Sequence, residues 1–194
     1  MKTVPLFPLN TVLFPEGLLP LRIFETRYID MVRECMRGGG TGFTVVAIRG
    51  GSETSAEVRF ADIGTRAEII DWEQRADGLL GILASGRERV RVLSHHRRPD
   101  GLLVAQVQSL EEWPPIELPV EYASLAGLLG RLLEQLGTPW SHLERRTGDA
   151  AWVAGRLTEL LPLDLALKQE LLAEDDPLQR LRRLRAAMLA AQNP

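Results

Sequence analysis

Residues 4–28 read VPLFPLNTVLFPEGLLPLRIFETRY, a strongly apolar run interrupted by Pro5, Pro8, Pro15 and Pro20. Such a stretch is a targeting peptide, a proline-rich ligand or part of a fold. A secretory signal needs a basic start, an unbroken apolar segment and a small-residue cleavage site. Here Lys2 is followed by prolines, Asn10, Thr11 and Glu16. A polyproline ligand would leave Leu6, Phe7, Val12, Leu13, Phe14, Leu18 and Leu19 in water. The remaining reading is short extended segments, with prolines at strand starts and sheet edges. The pattern predicts extended backbone at Val4–Phe7 and Leu18–Ile23 and a turn at Pro15-Glu16-Gly17.

The 194 residues suffice for one large domain or two small lobes. At this length about 70% of the unfolded surface can be buried. The residues are 45% hydrophobic and 25% charged, the usual balance of a soluble globular chain. A net charge of −3 disfavours a nucleic-acid partner, which calls for a basic face. One cysteine, Cys35, rules out an internal disulfide framework and fits a reducing, cytoplasmic setting. No apolar run approaches the roughly 18 residues of a membrane span.

From residue 26 the period changes. Ile29, Val32, Cys35 and Met36 share a helical face, with Thr26 as N-cap and Gly38 as stop. GFTVVAI (42–48) reads as a strand and RGGSETSAE (49–57) as a polar loop. VRFADIG, TRAEIIDWEQ, GLLGILA, RERVRVLSH and LLVAQVQSL follow as short alternating runs, with turns at Ala76-Asp77-Gly78 and Pro99-Asp100-Gly101. In RERVRVL, Val90 and Val92 point inward and Arg89 and Arg91 outward. EEWPPIELP (111–119) is a stiff connector, and helices come after it. Leu125, Leu128, Leu129, Leu132, Leu133 and Leu136 keep helical spacing until Gly137 and Pro139. Asp149, Asp164 and Asp176 are placed to cap three more helices, the last with Pro177 at its first position. The expected architecture is α+β: a β-rich lobe at 1–112, a proline hinge at about 113–119 and a helical lobe at 113–194.

PLFPLNTVLFPEGLLPLRIFETRY resembles the start of the Lon protease N-terminal domain family, the substrate-binding domain of that ATP-dependent protease. Pro5, Leu6, Pro8, Leu9, Val12, Phe14, Pro15, Gly17, Pro20, Leu21 and Tyr28 carry the likeness. ADIGTRAEI (61–69) and ELLPLDLALKQELLAEDDPLQRLRRL (159–184) are similar to two later blocks of the family, in the right order. The resemblance implies a PUA-like pseudo-barrel followed by a helical bundle. Lon proteases continue into an ATPase module and a serine–lysine protease domain. This sequence has no Gly-x-x-x-x-Gly-Lys-Ser/Thr, and neither lysine follows a glycine. A serine–lysine dyad could draw only on Lys2 or Lys168, and Lys168, beside Gln169 and Glu170, reads as part of a solvated face. The resemblance therefore implies a stand-alone substrate-binding domain, not an enzyme, with no cofactor.

Other candidate groups have plain readings. Cys35 could act as a nucleophile with His95, His96 or His142, or be a small buried hydrophobe. His95-His96-Arg97-Arg98 reads as a polar hairpin end, since adjacent residues of a strand point to opposite sides. GGGTG (38–42) follows a helix and reads as a stop and turn, not a phosphate loop. Glu111, Glu112 and Glu117 read as solvated linker, and Arg180, Arg182, Arg183 and Arg185 as solvated faces around a Leu181–Leu184–Met188 seam. No metal site is expected.

The positive case is binding. A surface that holds unfolded chains needs exposed apolar groups and free backbone edges. Phe24, Glu25, Arg27 and Tyr28 stand where the second extended segment enters the first helix. They form a peptide-contact surface, or else Phe24 and Tyr28 are core residues one helical turn apart. The expected function is a non-catalytic module for unfolded or degron-bearing polypeptides, with a protease or ATPase acting in trans. RNA binding and small-molecule binding on the same fold are the alternatives.

Overall fold

The computed structural model describes residues 2–37, 42–51, 58–112 and 115–192. Gly38 as a helix stop, the 38–41 part of the glycine run, the 52–57 part of the polar loop and Trp113-Pro114 of the connector lie outside these residues. The chain divides into two compact units, Met1–Glu111 and Glu112–Pro194.

The first unit contains β1 (Lys2–Leu9), β2 (Leu18–Ile23), α1 (Thr26–Arg37), β3 (Phe43–Gly50), β4 (Arg59–Phe60), β5 (Ile63–Gln74), β6 (Leu80–Arg97) and β7 (Leu103–Ser109). The sheet runs β1-β7-β6-β5-β3-β4, and a parallel β1–β3 pairing closes five of its strands into a ring. Alternation feeds two apolar clusters from the same strands. Phe7 and Leu9 of β1, Phe43 and Val45 of β3, Ile82 and Ala84 of β6 and Val104 of β7 enter one, together with Tyr28, Met31, Val32 and Cys35 of α1. Val4 and Leu6, Val46, Val90, and Leu103, Ala105 and Val107 enter the other. Both strand faces are apolar because both are covered, so β1 and β3 read as near-continuous apolar runs.

The prolines find their places in this topology. β1 pairs with β7 along Lys2–Leu6 and with β3 along Leu6–Leu9. Pro5 therefore faces only Val104 and Pro8 only Val46, so neither is asked to donate to two neighbours. Pro20 faces Leu83, and β2 pairs with β6 alone among the described strands. Pro15 opens the expected turn, in which Glu16 takes φ 63° and the Gly17 N–H donates to the Phe14 carbonyl at 3.0 Å.

That turn docks on Gly86. The Glu16 N–H donates to the Gly86 carbonyl at 2.8 Å, and the Gly86 N–H donates to the Gly17 carbonyl at 2.9 Å. A Cβ on Gly86 would stand 2.1 Å from the Phe14 carbonyl oxygen, a backbone atom that cannot swing aside. Gly86→Ala is expected to cost about 1–3 kcal/mol, read as a lower urea midpoint with an unchanged denaturant slope.

Three assignments are corrected. Arg91 is exposed, but Arg89 is only 1% exposed, and its guanidinium reaches the Glu111 carbonyl at 3.4 Å. The Leu110 N–H donates to the Arg89 carbonyl at 2.9 Å, so this residue fastens the end of the unit to β6. A long, multi-donor side chain can be buried when carbonyls face it. In α1, the Glu25 carbonyl accepts from Tyr28 and Ile29, so the helix begins at Thr26 and Glu25 holds the cap position assigned to Thr26. Met36 leaves the buried face, which is Tyr28, Met31, Val32 and Cys35.

An ion-pair network crosses β5 and β6. Arg66 Nε donates to Glu88 at 2.7 Å, Arg66 Nη1 to Glu68 at 2.9 Å and Arg87 Nε to Glu68 at 2.8 Å. The Arg66 hydrogen bond is the main reason the Glu68 carboxyl lies below its ordinary 4.5. A depressed carboxyl stabilises the fold above its unfolded value and loses that contribution as pH falls through its folded value. Arg66→Met should raise the Glu68 midpoint toward 4.5, seen by carboxyl NMR. The stability gap between wild type and variant should close as pH drops below the ordinary glutamate range.

The second unit contains α2 (Ala123–Leu136), α3 (Ala150–Leu160), α4 (Leu165–Ala173) and α5 (Pro177–Gln192), with single 3-10 turns at Val120–Tyr122 and Trp140–His142. Gly137, at φ 64°, ends α2. The Asp149 carboxylate accepts from Ala151 N–H at 2.9 Å, and that of Asp176 from Leu178 N–H at 2.8 Å. Asp164 precedes α4 without a side-chain cap. The faces assigned to solvent are again partly interior. Arg180 is buried because its Nε donates to the Leu171 carbonyl at 2.8 Å and its Nη2 to the Glu174 carbonyl at 2.5 Å, satisfying the end of α4. Gln169 is buried, and Lys168 is half-buried with Nζ 2.9 Å from the Glu159 carbonyl. Burial holds the Lys168 amine below its usual value. Among the described residues no helix is long and apolar enough to cross a membrane.

Candidate functional site

The Pro20-Leu21-Arg22-Ile23 alternation of β2 sends Ile23 into the core. The next position belongs outside, where an alternating strand would carry a polar residue. Phe24 occupies it and is 61% exposed. In β5 the register slips between Ile69 and Asp71, and Trp72 lies on the outward side, 56% exposed. Met36, at the last turn of α1, is 48% exposed.

These three side chains line one groove of about 430 Å³. Ile29 and Val32 of α1 form one wall, with Leu79 and Leu80 of the β5–β6 hairpin opposite and Ile23 between them. Its charged lining is Arg33, which is paired with Asp30 at 2.9 Å. The hairpin wall is fixed to β2 by an Arg22–Asp77 ion pair. Asp77 also accepts from Leu79 N–H at 3.1 Å across the Gly78 turn. That backbone bond is the first reason its carboxyl lies below the usual aspartate value, the Arg22 pair adding to it.

A second pocket of about 260 Å³ adjoins the first, with Ile23 and Phe24 common to both. Phe7, Leu9, Leu21 and Tyr28 give it an apolar floor, and Asn10, Thr11, Arg22 and Glu25 a polar rim.

The four residues singled out in the sequence separate into two roles. Phe24 is at the surface and Glu25 at the pocket rim. Tyr28 is buried, its ring stacked on Phe7 at 4.0 Å and 19°. Arg27 lies over the Tyr28 ring at 4.7 Å, pairs with Glu25 at 2.7 Å and donates to the Gly101 carbonyl at 3.2 Å. Arg98 reinforces this clamp with a bidentate bond to Glu34 at 2.9 and 3.0 Å. Arg27 and Tyr28 hold α1, the wall of the groove, against the sheet. Sequence reasoning did not single out Trp72, Leu79 and Leu80. An outward tryptophan in an alternating strand was the available signal.

The other candidates remain apart from the groove's chemistry. Cys35 is buried, its thiol donates to the Gly42 carbonyl at 3.3 Å, and burial followed by the neighbouring Glu34 charge pushes it up to about 11. A thiol so protonated is a poor nucleophile. His95 packs its ring against Phe60 at 4.9 Å. Glu111, Glu112 and Glu117 are exposed. Among the described residues no three His, Cys, Asp or Glu side chains gather as a metal site.

The family model of the ATP-dependent protease La (LON) substrate-binding domain matches residues 3–189. The chain belongs to the LON substrate-binding domain family. It is similar to the crystal structure of a Lon N-terminal domain protein from Xanthomonas campestris, with a TM-score of 0.77 and 38% identity over 96% of this chain and 98% of that one. The N-terminal domain of a Mycobacterium avium complex Lon protease shares the fold, at a TM-score of 0.62 and 22% identity over 94% of this chain and 96% of that one. Lon protease 1 of Bdellovibrio bacteriovorus is 26% identical over 185 residues, 95% of this chain and 20% of that protein. Protein cereblon of Gallus gallus is 33% identical over 115 residues, 57% of this chain and 24% of that protein. The chain thus spans about a fifth to a quarter of these longer relatives. Its mixed fold, β-rich sheet followed by helices, is that of the LON substrate-binding domains.

Proposed function

We propose that this LON substrate-binding domain is a non-catalytic module that docks apolar segments of unfolded or degron-bearing polypeptides in the groove between α1 and the β5–β6 hairpin. The observation that carries this reading is the convergence of Phe24, Met36 and Trp72, each about half exposed or more, on one apolar groove. Large apolar side chains gathered in the open mark a place where a partner removes them from water. About half of each side chain is still in water, so covering one is worth about 0.8–1.5 kcal/mol, and the three together suit weak, reversible capture. The lining offers burial and no paired acid and base, which suits holding over chemistry. Phe24 is the contact, Glu25 borders the adjoining pocket, and Arg27 and Tyr28 support the wall. A protease or ATPase acting in trans would take over what the groove holds.

Fluorescence anisotropy with a labelled, permanently unfolded polypeptide tests this, with its folded form and RNA as controls. Saturable binding of the unfolded chain alone, surviving moderate salt, is the expected result. Binding of RNA with a steep salt slope, or of nothing, overturns it.

A further inference from the structure

Two sulfurs stand side by side in α1, and the fold treats them in opposite ways. Cys35 is buried against the Gly42 carbonyl, and its thiol is held protonated. Met36 is 48% exposed and lines the groove. Of the other described methionines, Met31 is fully buried and Met188 partly so. Oxidation of sulfur follows access, and a shielded, protonated thiol reacts slowly. Among the described sulfurs of this unit, peroxide therefore meets the Met36 thioether first.

We propose that Met36 is a peroxide-sensitive modification site that switches the groove from apolar to polar. The proposal rests on the groove reading above. In the step, a sulfur lone pair attacks one oxygen of hydrogen peroxide and the O–O bond breaks. The sulfur is oxidised to the sulfoxide, and the peroxide, reduced, leaves as hydroxide and becomes water with the proton released from the transferred oxygen. The product carries a strong dipole where the groove had a polarisable apolar atom. An apolar guest then either leaves that oxygen unsolvated or stays out, so affinity falls. A methionine sulfoxide reductase would restore the thioether.

The test uses the whole chain, as wild type and Met36→Leu, each compared with itself before and after mild hydrogen peroxide. Peptide mapping by mass spectrometry locates added oxygen, and anisotropy with the labelled unfolded polypeptide reads affinity. The expected result is one oxygen on Met36 before any on Met31 or Cys35. Affinity should fall about fivefold or more in the wild type and stay constant in the variant, with reductase reversing the loss. Oxidation elsewhere first, or an oxidised Met36 with undiminished binding, overturns the proposal. Absent binding before treatment overturns the groove reading and the switch with it, whereas binding that ignores Met36 oxidation overturns the switch alone.

Discussion

Tyr28→Ala is expected to destabilise the first unit by about 3–5 kcal/mol, the range for emptying a buried aromatic site. The ring is stacked on Phe7, lies beneath the Arg27 guanidinium and is almost wholly out of water. Its loss opens a cavity between α1 and the sheet and leaves Arg27 without the face it covers. Against a usual total of about 5–15 kcal/mol, this is a large fraction. Tyr28→Phe keeps the stack and should cost under about 1.5 kcal/mol. Hydrogen exchange resolved by segment is the measurement, since it reports local opening. Protection should fall in α1, β1 and β6 for the alanine variant. Unchanged protection there would show that the ring is not part of the core. Loss of polypeptide binding in this variant would follow from the lost wall, so it says nothing about contact.

Phe24→Ser combined with Trp72→Ser should do the reverse. Both side chains are more than half exposed, so their removal should alter stability by about 0.5 kcal/mol or less each. Affinity for the unfolded polypeptide should fall by about 2–3 kcal/mol, roughly 30- to 150-fold. Each single variant should show part of that loss. Thermal unfolding and anisotropy on the same preparations make the comparison. A doubly substituted protein that binds as before would place the contact surface elsewhere. One that unfolds would assign Phe24 and Trp72 to the core. The contrast with Tyr28 separates residues that touch a guest from residues that hold the wall.

Much of the frame was legible in the residues. Proline has no N–H, so an apolar run holding four of them had to be short extended pieces and turns, with Pro5, Pro8 and Pro20 each facing one strand only and Pro15 opening a turn. The proline and turn pattern located β2 to the residue, and alternation set Val90 and Val92 inward. Asp149, Asp176 and Gly137 announced helix ends because capping and positive φ are local chemistry. The likeness in the opening run and the 61–69 and 159–184 blocks pointed to the family. What the sequence could not decide was burial that depends on distant carbonyls. Arg89, Arg180 and Lys168 looked solvated because charge favours water. Arg89 and Arg180 are interior and Lys168 is half-buried because residues 22, 9 and 9 positions away, respectively, present backbone oxygens to them. The groove is the same case. Phe24 was conspicuous alone, but Trp72 and Met36 join it only through β2–β6 and β6–β5 pairing and the docking of α1. Local pattern determined which segments are strands and helices. Only long-range register decided which exposed apolar side chains meet, because a strand's pattern fixes a residue's face but not its neighbours.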